Sequence, residues 1–302
     1  MLNQKKGVNG ALAVLLLVWS FPPIIIKYLD YYFPPQAQNF YRYLGAAIFL
    51  IFFSFFIFRR EIKICIKKFK YFILPACLLS VFQTIFVYGI SFSQANTASF
   101  LSKLGVAFVV LVAWMILPEE RKIIKKAGFV TGFSLTFAGA TVITLGKENI
   151  TFSLGSFLII ISNFFWALYT IQMKKLLKEI KITPSLAMGF VTIIASGFLF
   201  FPALPYLHKI IQTPPLVNLI LFLSGSFLVG AGGALYYFLL KKIGATLTNN
   251  AMLLTSFVSA FFSFLLLGEK MTLWQVVGGI ILIPGCYIIL RQTEVPGGKI
   301  QT

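Results

Sequence analysis

Apolar residues run along this chain in long blocks broken by short polar clusters, without the two-residue alternation of a half-buried strand. Blocks close to the length that crosses a bilayer predict helices at roughly 10–28, 37–58, 71–91, 96–117, 123–145, 153–174, 185–204, 215–240, 247–267 and 271–291. The predicted fold class is therefore an all-α polytopic membrane protein. The connections are too short for a soluble domain, so function has to reside within the membrane.

The polar clusters carry a second pattern. Lys and Arg crowd alternate loops, from Arg59 to Lys70, Arg121 to Lys126, Lys174 to Lys181 and at Lys241 and Lys242, joined by Lys5, Lys6, Arg291 and Lys299. The intervening loops hold only Lys27, Lys147, Lys209 and Lys270. Because basic residues accumulate on the cytoplasmic side, both termini are expected in the cytoplasm and the chain in a cell inner membrane.

Composition agrees: at 59% hydrophobic and 11% charged, a soluble surface could not be covered. The net charge of +18 lies in loops that flank the membrane, where it meets lipid headgroups rather than nucleic acid. Lys5 and Lys6 before an apolar run mimic a signal peptide, but no Ala-x-Ala site follows and the segment is expected to be retained.

Little points to cofactor or metal chemistry. Cys65, Cys77 and Cys286 have no metal-ligand or disulfide spacing, and His208 stands alone in an external loop. Gly225 to Gly230 has the glycine spacing of a phosphate loop without its Lys-Ser/Thr pair, which argues against ATP hydrolysis.

An internal repeat organises the helices. Ala95-Asn96-Thr97-Ala98-Ser99, an apolar run, Pro118-Glu119 and Gly128 correspond to Ala245-Thr246-Leu247-Thr248-Asn249, an apolar run, Gly268-Glu269 and Gly278, with one offset of 150. Trp19 pairs more loosely with Trp166. The halves, 8–146 and 152–292, thus hold five helices each, and an odd number inserts the second half upside down. Gly139 lies eleven residues past Gly128 whereas Gly285 lies seven past Gly278, which predicts a one-turn insertion in the fifth helix.

Trp19-Ser20-Phe21-Pro22, Arg42, Trp166-Ala167-Leu168-Tyr169, Lys242-Ile243-Gly244-Ala245-Thr246 and Leu267-Gly268-Glu269-Lys270 resemble the paired EamA domains of the drug/metabolite transporter superfamily. The resemblance covers almost the whole chain. It implies ten helices in two inverted five-helix repeats and export or exchange of a small metabolite through a cavity between them. The chain departs from the family pattern at Ser20, Val106 and Ser256, where the family often has Gly or Pro, so the resemblance does not carry a substrate with it.

Away from the very ends of the predicted spans, charge is confined to Arg42, near the outer end of helix two, and Lys103, seven residues into helix four. All eight acids fall in loops or at helix ends. Asn96, Ser99 and Lys103 recur on one helical face with Ser102 at its edge. Intramembrane charge is costly and usually lines a cavity, although Lys103 could also snorkel or bond a neighbouring helix, and Arg42 could reach headgroup phosphates. The candidate substrate-binding set is Lys103, Ser99, Arg42, Trp19, Tyr88, Trp166, Tyr169, Tyr237 and Asn249, the two tryptophans favoured by the resemblance.

Two cations without an acid predict a cargo that brings the negative charge. The expected function is a secondary transporter, exporter or exchanger, of a small organic metabolite with a carboxylate or other negative group, partnered by that solute and by membrane lipid, as a monomer or dimer and without a cofactor. A membrane-embedded lipid-modifying enzyme is one alternative, in which only Lys103 could supply chemistry; a non-transporting partner protein is the other.

Overall fold

The computed structural model describes residues 2–93, 95–145, 153–258, 261–262 and 272–291. Within them the chain forms ten principal helices: α1 (Leu2–Val18), α2 (Pro35–Ile57), α3 (Lys70–Ser91), α4 (Ala95–Ile116), α5 (Ala127–Leu145), α6 (Leu154–Glu179), α7 (Pro184–Ala203), α8 (Pro215–Ile243), α9 (Ala245–Ala251, continued by the 3-10 turn Met252–Leu254) and α10 (Leu273–Arg291). Five of them, α2, α3, α6, α7 and α8, are each long and apolar enough to cross a membrane. With α5 and its leading helix Pro118–Ile124, bent from it by 78°, they make the frame of an all-α polytopic membrane protein.

Helix starts follow from local chemistry. Pro35, Pro118, Pro184 and Pro215 occupy first-turn positions, where a missing N–H costs nothing. Ser153 caps α6 through a reciprocal bond pair with Ser156.

The repeats are inverted, and equivalent helices demonstrate it directly. α5 packs on α10 so that a Cβ placed on Gly132 would lie 2.9 Å from the Gly285 carbonyl oxygen, and one on Gly139 would lie 2.6 Å from that of Gly278. Rising numbers on one helix meet falling numbers on the other, so the two run antiparallel. α2 and α7 do the same, Phe40 meeting Phe200 at 5.5 Å between ring centroids while Ile51 meets Gly189. Elements in equivalent places thus point in opposite directions, and α3 packs on α7 as α8 packs on α2.

Two expectations change. The α5–α10 contacts are symmetric only if Gly132 corresponds to Gly278 and Gly139 to Gly285, an offset of 146 rather than 150. The four extra residues therefore precede Gly132, around Pro118–Ile124, and do not interrupt α5. The first apolar block is also broken: α1 ends at Val18 and a separate helix, Pro22–Leu29, begins at Pro22-Pro23, which cannot supply the donors to continue it.

The glycine seam makes a sharp prediction. Gly139→Ala should destabilise the protein by about 2–3 kcal/mol, because backbone rather than a flexible side chain is in the way. Gly197→Ala, where an added Cβ meets nothing within 4 Å, should be neutral or gain up to about 1 kcal/mol of helix propensity. Thermal unfolding of both variants in detergent measures the contrast.

Candidate functional site

Between the repeats lies a cavity of about 310 Å³. Its walls include Pro22 and Ile26 from the helix after the α1 break, Arg42 and Tyr43 from α2, Phe82, Gln83 and Phe86 from α3, Ser102 and Lys103 from α4, Asn163, Trp166 and Tyr169 from α6, and Gly233 and Tyr236 from α8.

The break in the first block positions Trp19. Its indole Nε1 donates to the Leu228 carbonyl at 3.0 Å, and its ring meets Trp166 edge-on at 6.1 Å. These repeat-related tryptophans are in contact, so they lie where the two halves meet. Tyr236 completes the aromatic floor, 5.0 Å from Trp19 and 5.4 Å from Trp166, with the tilted ring of Phe82 beyond at 5.0 Å from Trp166.

Asn249 holds this floor from behind. Its Nδ2 donates to the Tyr236 hydroxyl at 2.8 Å and to the Ala245 carbonyl at 2.9 Å, while its Oδ1 accepts from Trp166 Nε1 at 3.1 Å. Tyr237 does not line the cavity; its hydroxyl bonds that of Tyr169, which does.

Arg42 is buried, and its Nε has no hydrogen-bond partner. Its position is set by backbone contact: Gly225 presses so closely on the Arg42 carbonyl that no side chain fits there. That approach coincides with a π-helical stretch, Ser224–Ala231, in the middle of α8. One turn earlier, Asn39 Nδ2 donates to the Gln83 carbonyl at 3.2 Å and ties α2 to α3.

Lys103 is half-buried at the cavity wall, and its ammonium reaches Thr255 Oγ1 at 3.4 Å. α4 is anchored there by Asn163, whose Nδ2 donates to the Leu101 carbonyl at 2.7 Å. Among the described residues neither Lys103 nor Arg42 forms an ion pair.

Of the predicted set, Arg42, Lys103, Trp19, Trp166 and Tyr169 thus converge on one cavity, while Asn249 and Tyr237 support it. Tyr88 lies apart from the lining, bonded to Gln36 and stacked on Phe92. The side chain of Ser99 lies outside the described residues. Tyr236 was not singled out because α8 reads as an uninterrupted α-helix that aligns Tyr237 with Gly230 and Gly233. The wider π turns carry the cavity face from Leu228 and Val229 to Gly233 and Tyr236 instead.

At the end of the bundle where the basic loops gather, two carboxylates of the first repeat cap helices of the second. Glu61 accepts from the Thr183 amide at 2.6 Å and the Thr183 hydroxyl at 2.9 Å, at the start of α7. Glu120, buried and paired with Lys174, accepts from the Ala245 amide at 2.8 Å and the Thr246 amide at 3.3 Å, at the start of α9. Gly244, with φ +91, brings the chain to that carboxylate.

Neighbouring Glu119 bonds Lys178 at 3.3 Å. Burial pushes its pKa up, but its own backbone amide, Lys174 and Lys178 outweigh burial and hold it below the ordinary value. On the basic connector Arg59–Lys67, burial followed by the charge of Glu61 pushes the Cys65 thiol up to about 12, which leaves it unreactive. His208 is exposed in a turn, and no metal-binding group of His, Cys, Asp or Glu exists among the described residues.

Comparison with known proteins places this geometry in context. The profile of the EamA-like transporter family matches residues 8–145 and 153–291, one match per repeat. A Haemophilus influenzae protein named an uncharacterized transporter is 24% identical over 95% of its own length and 92% of this chain. YoaV of Bacillus subtilis, named likewise, is 23% identical over 96% of its length and 94% of this chain. A namesake from Archaeoglobus fulgidus is 28% identical over 95% of its length and 92% of this chain. One crystal structure shares the fold at a TM-score of 0.77 and 12% identity, over 96% of this chain and 99% of that one.

Proposed function

Because the chain belongs to the EamA-like transporter family, we propose that this membrane transporter is a secondary carrier, exporter or exchanger, of a small organic metabolite with a carboxylate or other negative group, working by alternating access. The observation that carries the reading is the presence of Arg42 and Lys103 on one cavity, with no acid among the described residues paired to either. An anionic group bound between them would replace solvation that both cations have lost. The aromatic floor of Trp19, Trp166 and Tyr236 would hold the rest of the solute.

The loop charges support an orientation with the Glu61 and Glu120 contacts at the cytoplasmic face of the inner membrane, alongside both termini. In that arrangement these contacts close the cytoplasmic end, and the inverted repeat supplies the opposite state. No catalytic step is required of the site.

Flux from proteoliposomes tests the charge of the cargo. Across a panel of organic anions and neutral analogues, an inside-negative potential should drive the exit of a carried anion, with about 2.3 kcal/mol per charge per 100 mV available. Transport of a neutral or zwitterionic solute that ignores both potential and anionic competitors would overturn the proposal.

A further inference from the structure

A second concavity, of about 470 Å³, opens where α2 of the first repeat meets α7 and α8 of the second. Its wall is almost wholly apolar, with Phe53 and Phe58 on one side, Pro184 at one end, and Ala231, Ala234 and Phe238 on the other. Ser54, Thr183 and Ser185 are its polar members, and the rest of the wall offers nothing to a small polar solute. The small side chains at 231 and 234 leave a trough that the phenylalanines flank.

Two cations stand beside the wall without lining it. Arg59 directly follows Phe58; its Nε donates to the Phe55 carbonyl at 3.3 Å and its guanidinium lies 5.0 Å above the Phe55 ring. Lys241 Nζ donates to the Ile182 carbonyl at 3.1 Å, one residue before the wall residue Thr183. Glu61, the carboxylate bonded to the wall residue Thr183, has both oxygens engaged there. Among the described residues neither Arg59 nor Lys241 forms an ion pair, so their charge is open to a ligand from outside the protein.

An apolar trough with cations beside it at the basic end of a membrane protein has the complementarity of one amphiphile. We propose that this groove binds an anionic glycerophospholipid, one acyl chain lying between α2 and α8 and the phosphate resting at Arg59 and Lys241. The site is separate from the solute cavity and goes beyond the transport reading. A lipid seated there touches both repeats and stabilises the arrangement that brings them together.

Native mass spectrometry of the full-length protein, with phosphatidylglycerol or phosphatidylcholine of identical chains, tests the site. Phosphatidylglycerol should be retained in preference, and Arg59→Gln/Lys241→Gln should reduce that preference about tenfold. Ala234→Phe, which fills the trough and leaves the charges in place, should also reduce retention; Ser185→Phe serves the same purpose should Ala234→Phe fail to fold. Equal retention of the two lipids would overturn the proposal. So would a preference sensitive to the charge variant but untouched by trough filling, since the lipid would then sit on the basic surface alone.

Discussion

Lys103→Met should weaken binding of the anionic cargo by about 10- to 100-fold, the worth of one hydrogen bond to a charged group in a partly desolvated site, and should at the same time make the ligand-free protein more stable. The second half separates a binding role from a structural one. Among the described residues the ammonium reaches only the Thr255 hydroxyl, at 3.4 Å, and no carboxylate. An ammonium held inside a bundle without a counter-ion is a standing cost, and an apolar side chain of similar length removes it.

Arg42→Met should behave in the same way. Gly225 fixes the Arg42 backbone whatever its side chain, and the buried Nε has no partner to lose. Because both cations would share one anion, the double variant should lose less than the sum of the single losses. Thermal unfolding of each variant, with and without the cargo, reads both effects. A Lys103→Met protein that is less stable yet still stabilised by the anion would identify the ammonium as a strut to Thr255.

Glu120→Gln should release the end of the bundle that the basic loops surround. Its carboxylate accepts from two amides at the start of α9 and pairs with Lys174. The amide side chain would keep the shape, present an N–H group toward donors, and leave Lys174 without its direct partner, with only the charge of Glu119 nearby. Breaking a buried pair from one side costs about 3–5 kcal/mol. Part of that cost should emerge as a population shift of tenfold or more toward a state open at this end.

Gly244→Ala should push in the same direction, since its Cβ would lie 2.6 Å from Glu120 Oε1 in a backbone region that favours glycine. A cysteine introduced at Ser102 in a cysteine-free background, labelled by an impermeant thiol reagent in inside-out vesicles, reports the opening. Unchanged labelling despite lowered stability would reduce the contact to a helix cap.

The features that local pattern encodes were legible in the chain itself. Bilayer-length apolar blocks marked the helices, the duplicated Ala-Asn-Thr and Ala-Thr-Leu segments marked the repeat, and the rarity of intramembrane charge picked out Arg42 and Lys103. Hidden features depend on contacts distant in sequence. Glu61 and Glu120 read as loop acids because nothing nearby foretells an amide more than 120 residues away, as at Thr183 and Ala245. Tyr236 was obscured by the π turns of α8, which alter the helical phase that periodicity assumes constant. The pairing of Gly128 with Gly278 matched residue types; contact geometry selects Gly132.

The seam between α5 and α10 limits how the two halves can move. Four glycines, at 132, 139, 278 and 285, bring backbone against backbone. Slipping one helix along the other by a turn would bring side chains such as Thr136 or Leu282 to positions that have no room for a Cβ. Translation is therefore sterically blocked, whereas a change of crossing angle about the glycines is not. In the carrier proposed above, the seam would serve as a bearing about which the halves tilt, opening one end as the other closes.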